Sequence, residues 1–128
     1  MWIAIGLCAV ILVLVDVLML GLVVAPLFKK QILAVQGSAM ELDVYAAAAC
    51  YALLVGGLYY FIVLPGRPLL DAFFLGVVVY GVYETTTKSI LKRWNWQTVA
   101  IDTTWGGTLF AITTAGVYAA TGRRVQIV

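Results

Sequence analysis

The chain has 128 residues, of which 64% are hydrophobic and only 11% are charged, and its formal net charge is +2. Soluble domains carry about 25% charged residues, so a soluble fold of this length could not cover so much apolar surface; the composition predicts a single-domain membrane protein. The small net charge, with basic residues placed at the ends of apolar segments, argues against nucleic acid as a partner.

The first apolar segment, residues 2–25, predicts a membrane-spanning helix, because a bilayer core about 30 Å thick needs about 20 apolar helical residues. It is too long for the apolar core of a secretory signal peptide, so we expect it to be retained. Pro26 is expected to end this helix. Residues 31–37 allow two interpretations, a short interfacial helix or the frayed end of the first span.

The second predicted span covers residues 39–64. Ser38 and Glu41 have the S-x-x-E spacing of a capping box, in which both side chains satisfy free amide groups at a helix start. Pro65 is expected to end this span.

The third and fourth predicted spans cover residues 68–92 and 96–121. Pro68 suits the first turn of the third helix. Asn95 is expected to cap the fourth helix, and Gly122 to end it.

These segments define the expected fold class, an all-α integral membrane protein in which a four-helix bundle forms one domain, residues 1–128. Helices are preferred to a β-barrel because the apolar runs exceed about 20 residues and do not alternate. We expect a multi-pass protein of the plasma or inner membrane, with the lipid bilayer as its surroundings.

The tryptophans divide into two groups. Indole rings favour the headgroup layer of a membrane, and three tryptophans lie near predicted span ends, namely Trp2, Trp94 and Trp96. Trp105 lies inside the fourth span and is expected to pack between helices.

The two cysteines, Cys8 and Cys50, lie far apart inside apolar segments. We interpret them as small core residues and predict neither a disulfide nor a metal site. Because the chain has no histidine and no dinucleotide-binding or serine-hydrolase motif, we expect no cofactor and no enzymatic activity.

Three acidic residues interrupt the predicted spans, Asp16, Glu84 and Asp102. Each costs about 2.5–3.5 kcal/mol at a helix centre. Because the first and third spans run one way and the fourth runs back, counting 1.5 Å per residue places all three carboxyl groups in the same half of the membrane. We therefore expect them to converge on a buried polar site.

Lys88 follows Glu84 by four residues, the spacing of a favourable helical ion pair. It could pair with Glu84 or reach Asp16 or Asp102 on another span. Three acids with one lysine leave an excess of negative charge, which proton uptake, a bound cation or water would relieve. The candidate ion, proton or solute site comprises Asp16, Glu84, Lys88 and Asp102, supported by Tyr80, Tyr83, Thr86, Thr87 and Trp105.

Each feature also has a purely structural interpretation. Asp16 could hydrogen-bond a neighbouring helix and set its register. Glu84 and Lys88 could form a neutral pair near the interface, with the lysine extended toward headgroups. Threonine-rich helix faces often serve helix packing.

Three stretches carry a resemblance to known proteins: LVDVLMLG in the first span, YGVYETTTKSILKRW in the third and VAIDTTWGGTL in the fourth. They are similar to the L-D-x-L-W-L-G, Y-D-L-T-N-x-A-T-L and V-D-x-x-W-G motifs of an uncharacterised family of small four-span membrane proteins, known mainly from bacteria and catalogued as a domain of unknown function. The order and spacing of the motifs extend the resemblance over almost the whole chain.

By this resemblance, the family's motif positions are occupied by Asp16, Glu84, Thr86, Asp102 and Trp105. The resemblance implies a four-helix fold and no established activity.

The chain departs from these motifs at four positions. Met19 stands where the family usually has Trp, Glu84 where it has Asp, and Thr87 where it has Asn. Lys88 stands where an uncharged residue is usual, and its ammonium group could occupy the place of a bound cation.

The leading functional hypothesis is a small transporter or channel that moves protons, small ions or a small polar solute past these carboxylates, since buried ionisable groups often mark such pathways. The alternative is a non-transporting module, an accessory subunit or a lipid or small-ligand binder whose polar cluster fixes helix packing. Four short helices enclose little space, so a pathway is expected to need a homodimer or larger homo-oligomer. In length and acidic first span the chain is similar to small multidrug transporters, but it has none of their motifs.

Overall fold

The computed structural model describes the backbone of residues 1–128 and every side chain except those of Val23 and Val24. In this described chain 79% of residues are helical and no strand occurs. The five α-helices are α1 (Trp2–Met19), α2 (Ala25–Gln36), α3 (Val44–Leu58), α4 (Leu69–Ile90) and α5 (Trp96–Ala120). Two π-helical turns, Leu20–Val24 and Tyr59–Val63, extend α1 and α3.

The first helix does not end at Pro26. The π-helical turn Leu20–Val24 leads from α1 directly into α2, and the Ala25 amide donates to the Leu20 carbonyl five residues earlier. A proline lacks an amide donor and its ring clashes with the carbonyl four residues before it, and a local π-turn re-satisfies backbone groups at such a point. Residues 31–36 are therefore helical, and the predicted stop at Pro26 is wrong.

The second span begins later than the capping box predicts. Ser38 lies in a bend, residues 39–43 are not helical, and α3 starts at Val44. Asp43 is the N-cap, and its carboxylate accepts a hydrogen bond from the Ala46 amide at 3.1 Å. Because aspartate caps as well as serine, Asp43 displaces the Ser38 cap, which is a correction to the prediction.

The predicted ends of the last two helices are confirmed. Pro68 is the N-cap of α4, where its missing amide costs nothing. The Asn95 side chain caps α5 by accepting from the Thr98 amide at 2.8 Å. Gly122 follows α5 with a φ of 72°, a left-handed conformation in which glycine commonly ends a helix.

The C-terminal segment completes the start of α4. The Leu69 and Leu70 amides donate to the carbonyls of Gln126 and Ile127 at 2.8 and 2.9 Å. The first amides of a helix have no partner within it, so the tail satisfies donors that would otherwise stay free.

The helices form an open arc in which α4 packs on α5, α5 packs on α1, and α1 packs on α3. The contact between α4 and α5 is close because glycines line it. A Cβ atom at Gly76 would meet the Gly106 carbonyl oxygen and lie 2.8 Å from the Gly107 Cα. Small residues allow membrane helices to approach in this way.

Three segments are long and apolar enough to cross a membrane, namely Trp2–Leu22, Val44–Val63 and Leu69–Ile90. The 25-residue α5 matches the fourth predicted span in length but is not among them. It is also the helix with the most buried residues, because α1 and α4 cover it. A central helix can be more polar than its neighbours, since protein rather than lipid surrounds it. The four-span count remains a prediction.

Candidate functional site

Asp16 connects three helices of the arc. Its side chain is 5% exposed. The Tyr51 hydroxyl, from α3, donates to Asp16 Oδ2 at 2.6 Å, and Trp105 Nε1, from α5, donates to Oδ1 at 2.8 Å. Each carboxylate oxygen therefore has a donor, and such charge-assisted hydrogen bonds are the strong ones in proteins.

Glu84 on α4 is completely buried. Trp94 Nε1 donates to its Oε2 at 2.7 Å. Its other oxygen, Oε1, is buried with no hydrogen-bond partner among the described residues. A buried carboxylate oxygen loses its hydrogen bonds to water, and without a donor in the protein no new bond replaces them. Only one of the two Glu84 oxygens therefore has a hydrogen-bond partner.

Asp102 on α5 neighbours Glu84 of α4, and both side chains are buried. The close packing of α4 on α5 brings them together. The charged groups that act on Asp102 are Glu84 and, farther away, Asp16, both acidic. Two buried, neighbouring carboxyl groups repel each other when both are ionised, and a proton or a cation beside them would relieve that repulsion.

A cavity of about 290 Å³ joins Asp16 to Asp102. Its wall on α3 includes Cys50 and Leu54, and Tyr80 and Tyr83 line it from α4. The structure thus brings the three carboxyl groups together: Asp16 and Asp102 at one cavity, and Glu84 directly behind Asp102.

Tyr80 and Tyr83 lie where the sequence placed them, on the face of α4 next to the carboxylates. The Tyr80 ring packs over Gly106, where a Cβ atom would collide with it, and meets Phe110 edge-on at 6.3 Å. Tyr83 is 57% exposed at the outer edge of the cavity. Aromatic faces of this kind attract cations.

Lys88 does not join the carboxylates. Its ammonium group lies 5.7 Å from the centre of the Trp96 ring. In the described part of the chain the ion pair is between Arg67 and Asp71, at the start of α4. The predicted ammonium counterweight at Glu84 is therefore not formed, and Lys88 stacks on an aromatic ring near the end of its helix.

The two threonines of the candidate site also lie apart from it. Thr86 is exposed on the outer face of α4, and its carbonyl accepts from the Ser89 hydroxyl. The Thr87 hydroxyl donates to the Tyr83 carbonyl within its own helix at 2.8 Å. Hydroxyl bonds to the backbone one turn earlier are a common way to satisfy threonine in a helix.

Three residues at the site were not predicted. Tyr51 donates to Asp16. The sequence signal that could have identified it is its position in the second span, at a membrane depth similar to that of Asp16. Trp94, expected at the headgroups, is instead 4% exposed, donates to Glu84 and stacks on Phe28 at 5.7 Å. Cys50, expected in the core with the buried Cys8, is exposed and lines the cavity.

No group of three Cys, Asp or Glu side chains among the described residues has the arrangement of a metal site. The carboxylates form a chain instead: Asp16 reaches Asp102 through the cavity, and Asp102 reaches Glu84 by direct contact. Such a chain can hold a proton or a monovalent cation at more than one point.

These features define an all-helical membrane protein in which three acidic side chains form a buried cluster. The chain belongs to the family described as "Predicted membrane protein (DUF2177)", which matches residues 1–119. The expected resemblance to an uncharacterised membrane family is thereby confirmed. The match ends before the C-terminal tail that caps α4. Neither among curated proteins nor among solved structures was a match to this chain found.

Proposed function

We propose that this protein is a small membrane transporter or channel for protons or small cations, that Asp102 and Glu84 are the groups that hold them, and that Asp16 lines the route to this pair. The observation that supports this most strongly is the buried Oε1 of Glu84, which has no hydrogen-bond partner among the described residues, in a side chain that neighbours the carboxyl group of Asp102. Nothing in the described chain neutralises that pair, so a proton or cation from outside must do so.

The cavity gives such a cation a route to the pair. It enters beside Tyr83 and Cys50, passes between Asp16 and Asp102, and stops at the contact between Asp102 and Glu84. Movement past the site follows when a second proton or cation takes the place of the first, which is how closely spaced acidic groups relay charge through a membrane.

A second candidate function rests on Asp16. Because Tyr51 and Trp105 satisfy both of its oxygens, this residue joins α1, α3 and α5 without any ligand. That geometry favours a non-transporting module, an accessory subunit or a lipid or small-ligand binder, in which the polar groups serve helix packing.

Flux through liposomes distinguishes the two candidates. The purified protein is reconstituted, and proton and Na⁺ flux are measured with a pH-sensitive dye and with a radiotracer. Asp102→Asn should abolish flux while the protein still reconstitutes and elutes as a single species. The matched control is Asp71→Asn, because Asp71 pairs with Arg67 at the exposed start of α4.

Absence of proton and Na⁺ flux from the wild-type protein, relative to empty liposomes, would favour the non-transporting module. Flux retained in Asp102→Asn would exclude Asp102 from the pathway and contradict the proposed role of the carboxylates. The same samples show the oligomeric state by light scattering. We expect a homodimer or larger assembly, since one chain encloses a cavity of about 290 Å³ beside the carboxylates and a continuous pathway needs more wall than four helices supply.

A further inference from the structure

The cavity at the carboxylates adjoins an apolar crevice. A second space of about 240 Å³ lies between α3 and α4, with Gly57, Phe61 and Leu75 among its walls. Leu54 on α3 and Val79 on α4 line both spaces. We call these two adjoining spaces the cleft; the Asp16 and Asp102 side is its acidic end, and the Gly57 and Phe61 side is its apolar end.

The arc of helices explains why this cleft exists. Contacts between helices run from α4 through α5 and α1 to α3, and the Tyr59–Val63 extension of α3 also contacts α5. Helices α3 and α4 therefore lie on two sides of a gap to which α5 contributes Phe110. Along its rim, Phe61 and Tyr83 are more than half exposed. In a membrane, residues exposed at this depth face lipid, so the cleft opens sideways toward the acyl chains.

We infer that the cleft binds an amphipathic monovalent cation, with its positive group between Asp16 and Asp102 and its apolar chain in the crevice. This inference rests on the proposed function, since it assigns a substrate class to the same carboxylates. The charge complements two buried acids, since the ion pair of the described residues joins Arg67 and Asp71 instead. The rings of Tyr80 and Tyr83 flank the same position.

The length of the crevice agrees with this class of ligand. From Leu54 to Phe61 the chain advances about 10 Å along the helix axis, the length of an extended octyl chain. Burial of each methylene contributes about 0.8 kcal/mol in water-to-apolar transfer, so a ligand with such a chain should bind more tightly than its headgroup alone.

Cys50 provides a reporter at the acidic end. It is exposed and lines the cavity, whereas Cys8, the other cysteine, is fully buried. In protein reconstituted into phosphatidylcholine nanodiscs, we measure the rate at which N-ethylmaleimide alkylates Cys50. The probes are octyltrimethylammonium, tetramethylammonium and octyl glucoside at equal concentration, and Cys50→Ser identifies the reacting thiol.

Octyltrimethylammonium should slow alkylation about tenfold relative to tetramethylammonium because its chain is buried in the crevice. Octyl glucoside, with the same chain and no charge, should not slow it. Gly57→Leu should remove the protection by filling the crevice, and Gly56→Leu should keep it. Both glycines have open space around a Cβ atom, but only Gly57 lines the crevice.

Three results would overturn the inference. Equal protection by octyl glucoside would show that charge plays no part, and equal protection by tetramethylammonium would show that the crevice plays none. Absence of protection by octyltrimethylammonium would mean that lipid or a second copy of the chain occupies the cleft. Proton flux that depends on Asp102, measured with the same protein in phosphatidylcholine liposomes, would leave the proposed function standing in each case.

Discussion

Asp16 and Glu84 are both buried carboxylates of membrane helices, yet their surroundings differ. Asp16 receives one hydrogen bond on each oxygen, from Tyr51 and Trp105. Glu84 receives one, from Trp94, its other oxygen has no hydrogen-bond partner among the described residues, and the carboxyl group of Asp102 is its neighbour. Asp16 is complete within the chain, whereas Glu84 and Asp102 require a proton or a cation.

Under the proposed function, this difference assigns a structural role to Asp16 and the transport role to Glu84 and Asp102. A fully hydrogen-bonded carboxylate stabilises the packing of the helices that supply its donors. Replacement of the carboxylate leaves a donor without an acceptor. A carboxylate pair that lacks hydrogen-bond donors attracts a small positive group. Neutralising one member of the pair should relieve the repulsion between the two. Substitutions at the two places should therefore have opposite consequences.

The largest expected effect comes from separating α4 and α5, which hold Glu84 and Asp102 against each other. In Gly76→Val the new side chain would collide with the backbone at Gly106 and Gly107. Overpacking typically costs about 1–3 kcal/mol and more where backbone must move, so we expect loss of thermal stability and of flux. Gly56→Val, at an open position, is the control; a normal melting temperature for Gly76→Val would refute the close packing.

The next effect distinguishes the two carboxylates directly. Asp16→Asn retains one acceptor for two donors and strands either Tyr51 or Trp105, at a cost of about 1–3 kcal/mol. Glu84→Gln keeps an acceptor for Trp94 and places an amide donor toward Asp102, so its stability should equal or exceed that of the wild type. Melting temperatures in one detergent test this contrast. Equal destabilisation by both changes would contradict it.

The smallest effect is expected at Lys88. Its ammonium group contacts the Trp96 ring rather than a carboxylate, and an exposed interaction of this kind contributes about 0.5–1 kcal/mol. Lys88→Met should therefore change the melting temperature little and leave proton flux intact. A loss of flux comparable to that of Asp102→Asn would show that the ammonium group does act at the site.

Helix ends were predictable where one local signal acts without competition. Asn95 and Gly122 bound α5 as expected, since a cap and a left-handed glycine depend on few neighbours. The prediction was wrong where two signals compete. At Asp43 a second cap displaces Ser38, and at Pro26 a π-turn carries the helix past a residue that usually stops it.

The carboxylates of the site were identifiable from sequence because charged residues inside apolar runs are rare and their depth can be counted. Their partners were not. Whether Trp94 turns toward lipid headgroups or toward Glu84, and whether Tyr51 meets Asp16, depends on which helices pack together. The contact of Lys88 with Trp96 likewise depends on tertiary packing. The i, i+4 spacing alone predicted a pair between Lys88 and Glu84.

The most direct test is the protonation state of the pair in the infrared spectrum of the reconstituted protein. We expect a buried carboxylic-acid carbonyl band at neutral pH that is lost in both Glu84→Gln and Asp102→Asn and persists in Asp16→Asn. A spectrum without that band, or a band lost in Asp16→Asn alone, would contradict a proton held between Glu84 and Asp102.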